Sequence, residues 1–327
     1  MRVVLEEGIF GPGEPSRLDL LSLFRLPLSR SHTLEVDPPD SLGLQTWLEG
    51  LDVRTADECR FALELSYDEL ARRPKPEGVR VLPAPSASWE RPVRLPLSLA
   101  IGFLETPLQV LVENNRRDRS FLRTVGFAFR ATLDRLEGTG FQFVHGGGLS
   151  EMLEQVLVRS RQPEWGRRSF VIFDSDAVCP GRSGAANERL ARICAERGVP
   201  FHRLTRRASE NYLPPACLEQ HATRMGRPRR ERSLRTARAF GQLLQDQRHH
   251  YNMKRGLDGD QNHPDREAGE QLFAILDGGK RDALRHGFGE SIGDLFEEAA
   301  LVQDYLLAAD GQGPEMMQLF EALLAEI

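Results

Sequence analysis

The stretch FVIFDSDAV, residues 170–178, runs through four consecutive large apolar residues and then presents two aspartates at i and i+2. An unbroken apolar run of that length predicts a strand buried on both faces, with the aspartates placed where it emerges. Three more runs of strand length lie around it: LQVLV (108–112), FQFV (141–144) and PFHRL (200–204). Amphipathic patterns between them predict helices around 120–136, 149–158 and 185–196, the last closed by Arg197 and Gly198. Four short strands with three intervening helices predict an α/β fold whose mostly parallel sheet is flanked by helices on both faces. Such a sheet collects its functional groups at the carboxyl ends of its strands.

Outward from this centre the pattern changes in both directions. Residues 1–104 carry short apolar stretches interrupted by Pro38, Pro39, Pro74, Pro76, Pro83 and Pro85. This predicts an irregular α+β N-terminal region of short strands and turns rather than long helices. Its segment 73–96, rich in Pro and Arg, reads as a linker or a proline-stiffened loop. Residues 221–327 read as a helical C-terminal region, with a polar, turn-rich surface loop at 256–269. The division expected is therefore 1–104, 105–220 and 221–327.

Composition sets further bounds. The chain has 327 residues, 40% of them hydrophobic, enough to bury at least one large core. A net charge of -5 does not favour whole-chain attraction to a polyanion, so contact with nucleic acid needs a local basic surface. Cys59, Cys179, Cys194 and Cys217 lie far apart with no C-x-x-C pair, which predicts reduced, buried thiols. Acidic residues, Pro and Gly near the start, and no apolar run approaching about 18 residues, predict a cytoplasmic protein without membrane contact.

Glu113 directly follows the first of the central runs, and Asp174 and Asp176 follow the third. Residues two apart in an extended segment point the same way, so Asp174 and Asp176 are expected to converge on one cation while Glu113 approaches from a neighbouring strand. Carboxylates without His or Cys favour Mg2+ or Mn2+ over zinc, and their clustering costs stability unless positive charge neutralises it. Glu210, after the fourth run, is a further metal ligand or an ordinary turn residue; Asn211 beside it can fix the loop. Gly146, Gly147 and Gly148 suit either a phosphate at a helix start or a tight strand-to-helix turn. His249 and His250 point apart on a helix and lack the spacing of a zinc pair.

The order LVEN (111–114), HGGG (145–148), FDSD (173–176) and LTRRASENYL (204–213) resembles a TOPRIM (topoisomerase and primase) catalytic domain. It is most similar to those of the overcoming-lysogenization-defect nucleases and related anti-phage effectors, over roughly residues 105–260. The resemblance implies a TOPRIM-like sheet, acid-base or metal-holding roles for Glu113 and metal-holding roles for Asp174 and Asp176. Members often carry a second acid four positions after the glutamate; here that position is Arg117, and Asp118 is the nearest acid. Lys254 resembles the late active-site lysine of these nucleases, where a fixed cation stabilises charge on a phosphoryl centre, and is otherwise a solvated surface lysine.

Arg206 and Arg207 flank the fourth strand end, and the arginines at 224, 227, 229, 230, 232, 235 and 238 concentrate positive charge. Arg206, Arg207, Arg227, Arg229 and Arg230 are thus expected to contact nucleic-acid phosphates without reading bases. The function expected is a metal-dependent nuclease acting on DNA or RNA, with an ATPase or sensor protein as partner by analogy with phage-defence effectors. Two alternatives stand beside it. An aspartyl phosphatase is one, although its motif normally lies on the first strand and continues into G-T or G-V. The other is a non-catalytic TOPRIM-like module binding nucleic acid or a partner, which Arg117 at the acid's position favours. No G-x-x-x-x-G-K motif for nucleotide hydrolysis is present.

Overall fold

In the computed structural model, which describes residues 1–11, 17–29, 32–83 and 85–327, eight strands form two four-stranded sheets. The strands are β1 (Arg2–Glu6), β2 (Thr33–Asp37), β3 (Glu77–Leu82), β4 (Val93–Pro96), β5 (Leu108–Val112), β6 (Phe141–His145), β7 (Ser169–Phe173) and β8 (Phe201–Arg203). Every pairing is parallel.

The second sheet has the order β6-β5-β7-β8. Its strands alternate between two cores, as the pleat requires. Val110, Val112, Phe170 and Ile172 join one cluster, while Leu111, Val171 and Phe173 join another with Met152, Val156, Leu190 and Ile193. The latter four come from helices Leu149–Arg159 and Ala185–Glu196, which the sequence pattern anticipated closely. The pattern expected at 120–136 divides into helix Asn115–Val125, a short 3-10 turn and helix Arg130–Leu136.

The opposite face is covered by the C-terminal region. Leu319, Phe320 and Leu323 of helix Gly313–Glu326 share one core with Leu108, Val110 and Phe141, so residues 105–220 and 221–327 close over each other. Segment 256–269 is less of a free loop than its composition suggested: it holds the 3-10 turn Leu257–Asp260 and the start of helix Arg266–Leu272.

Residues 1–104 depart from the irregular region expected. They form a regular parallel unit with the order β2-β1-β3-β4, the same arrangement as the second sheet. The 20-residue helix Val53–Arg72, N-capped by Asp52, buries Ala56, Cys59, Ala62, Leu63 and Ser66 along one stripe. Segment 73–96 is no linker, since it contains β3 and β4. The prolines lie between elements: Pro38 and Pro39 after β2, Pro74 and Pro76 before β3, Pro83 and Pro85 after it. Pro96 ends β4 as the N-cap of helix Leu97–Glu105. They punctuate the unit instead of breaking it.

All four cysteines are free and buried. Among the described residues no helix is long and apolar enough to cross a membrane.

Candidate functional site

The chain order of the second sheet reverses between β5 and β7, and this opens a crevice beyond their carboxyl ends. Glu113 is the first residue off β5 and Asp174 the first off β7. Asn114 caps helix Asn115–Val125, its side-chain oxygen accepting from the backbone N–H groups of Arg116 and Arg117 at 3.1 Å each. Asp118 reaches back, its Oδ2 accepting from Asn114 N at 2.8 Å. This reciprocal cap turns Asp118 toward Glu113 and Asp174, and all three line a cavity of about 10 Å³ with Phe121, Ile172 and Ser209. That is roughly the space of one water molecule's centre. Arg117 turns away to Asp294, with Nε donating at 2.8 Å. Asp118, and not Arg117, is thus the acid of this turn that faces the crevice.

Asp174 Oδ1 accepts from Ser209 N at 3.0 Å. Asn187 Nδ2 donates to Asp174 O at 2.8 Å and to Asp176 Oδ2 at 3.3 Å. Asp176 does not follow the extended alternation expected of it: β7 ends at Phe173, and Asp176 sits at φ 50°. A turn, pinned by Asp176 N donating to Arg207 O at 2.9 Å, carries its carboxylate to the crevice.

Glu210, 3% exposed, lies on the 3-10 turn Ser209–Tyr212 and pairs with Lys254 Nζ at 2.8 Å. Asn211 holds that turn, donating to Arg248 O at 2.8 Å and Tyr251 O at 2.9 Å. Lys254 is set by a close approach of two backbones. Gly256 (φ 67°) and Gly287 (φ 64°) meet there, and a Cβ on Gly287 would lie 2.8 Å from Lys254 C. His250 Nδ1–H donates to Ala177 O at 2.9 Å, bracing the turn after Asp176.

The electrostatics are those of crowded acids. Burial, then Asp176 and Asp118, raise the Glu113 carboxyl to about 7. Burial raises Asp118 to about 6, with Glu210 adding to it. Asp174 stands well above the usual carboxylate range through burial, Glu113, Glu210 and Asp118. Burial works against the Lys254 ammonium, but Glu210, Asp174 and Glu290 outweigh it and hold its pKa up. Glu113 Oε1 and Glu210 Oε2 are buried without a hydrogen-bond partner. Hard oxygen donors, mutual repulsion and two orphaned oxygens suit an oxygen-preferring divalent cation. Among the described residues, however, no three acidic, histidine or cysteine side chains already point at a common spot for an ion. The carboxylates share the crevice without forming a closed cage.

Two expected phosphate contacts are corrected. Arg206 is buried, its Nη1 donating to Asp310 Oδ2 at 2.5 Å and Asn211 O at 2.9 Å, with the guanidinium 4.5 Å over the Tyr212 ring. Arg207 forks onto Asp260 at 2.6 and 2.7 Å. Both arginines are structural ties, their charge neutralised by acids far along the chain. Arg227, Arg229 and Arg230 are exposed, with no ion-pair partner among the described residues.

The glycine run at 146–148 is accounted for by space. Gly146 N donates to Val112 O at 2.7 Å, a Cβ there would lie 2.2 Å from Met152 Cγ, and the Glu151 side chain lies over Gly147. A much larger cavity lies elsewhere, against the amino ends of the first sheet.

No protein-family model matches the chain, and no curated protein or solved structure matches it.

Proposed function

We propose that the chain is a metal-dependent nuclease that hydrolyses phosphodiester bonds of DNA or RNA at this crevice. The observation that carries the reading is that Glu113, Asp118 and Asp174 line one cavity at the sheet's reversal point, with Asp176 and Glu210 close enough to raise their carboxyls and Lys254 paired to Glu210. The TOPRIM resemblance, carried by the motifs that hold Glu113, Asp174 and Asp176, supports the same reading, and Asp118 offers the crevice an acid beside Arg117.

Asp174, Asp176 and Glu210 would hold Mg2+ or Mn2+, with Asp118 in the place of the motif's second acid. The ion would supply Lewis acidity at a phosphodiester oxygen. Glu113, raised to about 7 by burial, Asp176 and Asp118, is suited to take a proton from water and return one to the leaving oxygen. Lys254, fixed by Glu210, would stabilise negative charge building on the phosphoryl oxygens. Arg227, Arg229 and Arg230 offer exposed charge for phosphate contacts outside the crevice. By analogy alone the proposal extends to a role in bacterial phage defence beside an ATPase or sensor protein.

The test is cleavage of supercoiled DNA, single-stranded DNA and total tRNA with Mg2+, Mn2+ or chelator. Cutting that requires metal and falls about 100-fold or more in Glu113→Ala and Asp174→Ala is expected. Cutting at the wild-type rate by those variants, or metal-independent binding with no cutting of any substrate, overturns the proposal.

A further inference from the structure

A cavity of about 1000 Å³ lies where β1 to β4 begin, with helix Gly313–Glu326 forming part of its wall. Cavities of this volume at the join of two packed units are of the size that takes organic ligands. Phe103, Leu136 and Leu324 give the lining an apolar part. Its charged part is unbalanced: seven arginines and lysines face five acids.

The imbalance lies in residues with nothing to pair with. Arg73, Lys75, Arg135 and Arg167 have no ion-pair partner among the described residues, whereas of the acids only Glu69 and Glu321 are unpaired. Lys75 is partly buried, and burial pushes its ammonium below the ordinary pKa; Glu69 resists this while Arg73 and Arg135 add to it. Arg167 is likewise pushed down, by burial and by Arg91, with its Nε spent on Trp89 O at 2.6 Å. Cations crowded at a partly enclosed surface repel one another and are relieved by an anion.

We propose that this cavity binds a small phosphorylated organic compound, with its phosphate at Lys75, Arg73 and Arg135 and its carbon skeleton on the apolar lining. Four unpaired basic side chains against two unpaired acidic ones favour a phosphate monoester, which carries about -1.5 to -2 at neutral pH, over a monocarboxylate. This cavity and the one at the acidic crevice share no lining residue, so the two proposals stand or fall separately.

The experiment is isothermal titration of the full chain with AMP, ribose 5-phosphate and adenosine, in chelator so that metal complexes at the crevice do not contribute. Saturable binding of either phosphorylated compound but not of adenosine is expected. The double variant Lys75→Met/Arg135→Gln should weaken it about tenfold or more. Glu321→Gln should tighten it, a gain that a damaged fold cannot produce, and Asp174→Asn should leave it unchanged. No saturable binding of AMP or ribose 5-phosphate at millimolar concentration overturns the proposal. So does equal binding of adenosine, binding indifferent to the double variant, or binding lost in Asp174→Asn.

Discussion

Glu113 ties the energetics of the fold to the chemistry of the site. Burial, Asp176 and Asp118 raise its carboxyl to about 7, so the folded protein holds a proton that the unfolded chain releases near 4.5. Stability from this group is complete below the unfolded value and is lost as pH rises through about 7. In chelator, unfolding should therefore become easier between pH 5 and 8, by roughly 3 kcal/mol from Glu113 at about 1.4 kcal/mol per pH unit. Glu113→Gln should flatten that slope, and added Mg2+ should raise Tm more at pH 8 than at pH 5; thermal melts across pH decide both. The arginines divide as sharply. Arg206→Ala leaves Asp310 buried without its partner and should cost about 3–5 kcal/mol in urea unfolding. Arg229→Ala and Arg230→Ala should leave stability within about 0.5 kcal/mol, weaken nucleic-acid binding and lower its salt slope by about one each. The positions of Glu113 and Asp174 were legible because strand ends are legible, whereas the turn that carries Asp176 was not. Arg206 was not, because charge alone does not reveal an acid 104 residues away.

At the scale of elements, the start of helix Asn115–Val125 positions two acids at once. Asn114→Ala removes the cap and should cost about 1 kcal/mol of stability. Its effect on cleavage should be larger, since the side-chain cap fixes the turn whose backbone N–H at residue 114 aligns Asp118. Comparing urea midpoints with cleavage rates separates the two effects, and a rate reduced only in line with the unfolded fraction would sink the positioning role. The sequence names Asp118 as the acid nearest to Arg117, but only the capping exchange shows that it is Asp118 that turns to the crevice. Prolines produced the other misreading. Counted by density they suggested an irregular segment, but helix Val53–Arg72 contains none and places small and apolar residues three and four apart. Position relative to such a stripe carries the information that proline number does not.

The whole molecule repeats one strand order twice, and the two reversal points differ in what fills them. Glu7, just past β1, accepts from Gly43 N at 3.1 Å and Ser41 Oγ at 3.0 Å, which hold its carboxyl below the usual range. Arg80 on β3 is matched by Glu77 and Asp37. Beyond its carboxyl ends the first sheet thus satisfies its charges, whereas the second leaves acids crowded and two oxygens unpartnered there. Arg168 joins the two units, its Nε donating to Thr106 O at 2.8 Å and Nη1 to Glu326 O at 3.4 Å, with the guanidinium 5.6 Å over the Phe103 ring. Arg168→Ala should therefore cost about 2–4 kcal/mol, read from urea unfolding.

The sequence by itself determined the parallel α/β character of residues 105–220, the strand limits to within a residue or two, and the placing of Glu113 and Asp174 at strand ends. These follow from apolar runs and helical periodicity, which are local and written in consecutive residues. Only the tertiary structure decided that residues 1–104 build a second sheet of the same order. It alone also brought Asp118, Glu210 and Lys254 into one crevice, buried Arg206, tied Arg207 to Asp260, and left an unbalanced cavity at the first sheet. Each of these depends on which distant charges meet and how far water is excluded between them, and that is a property of packing.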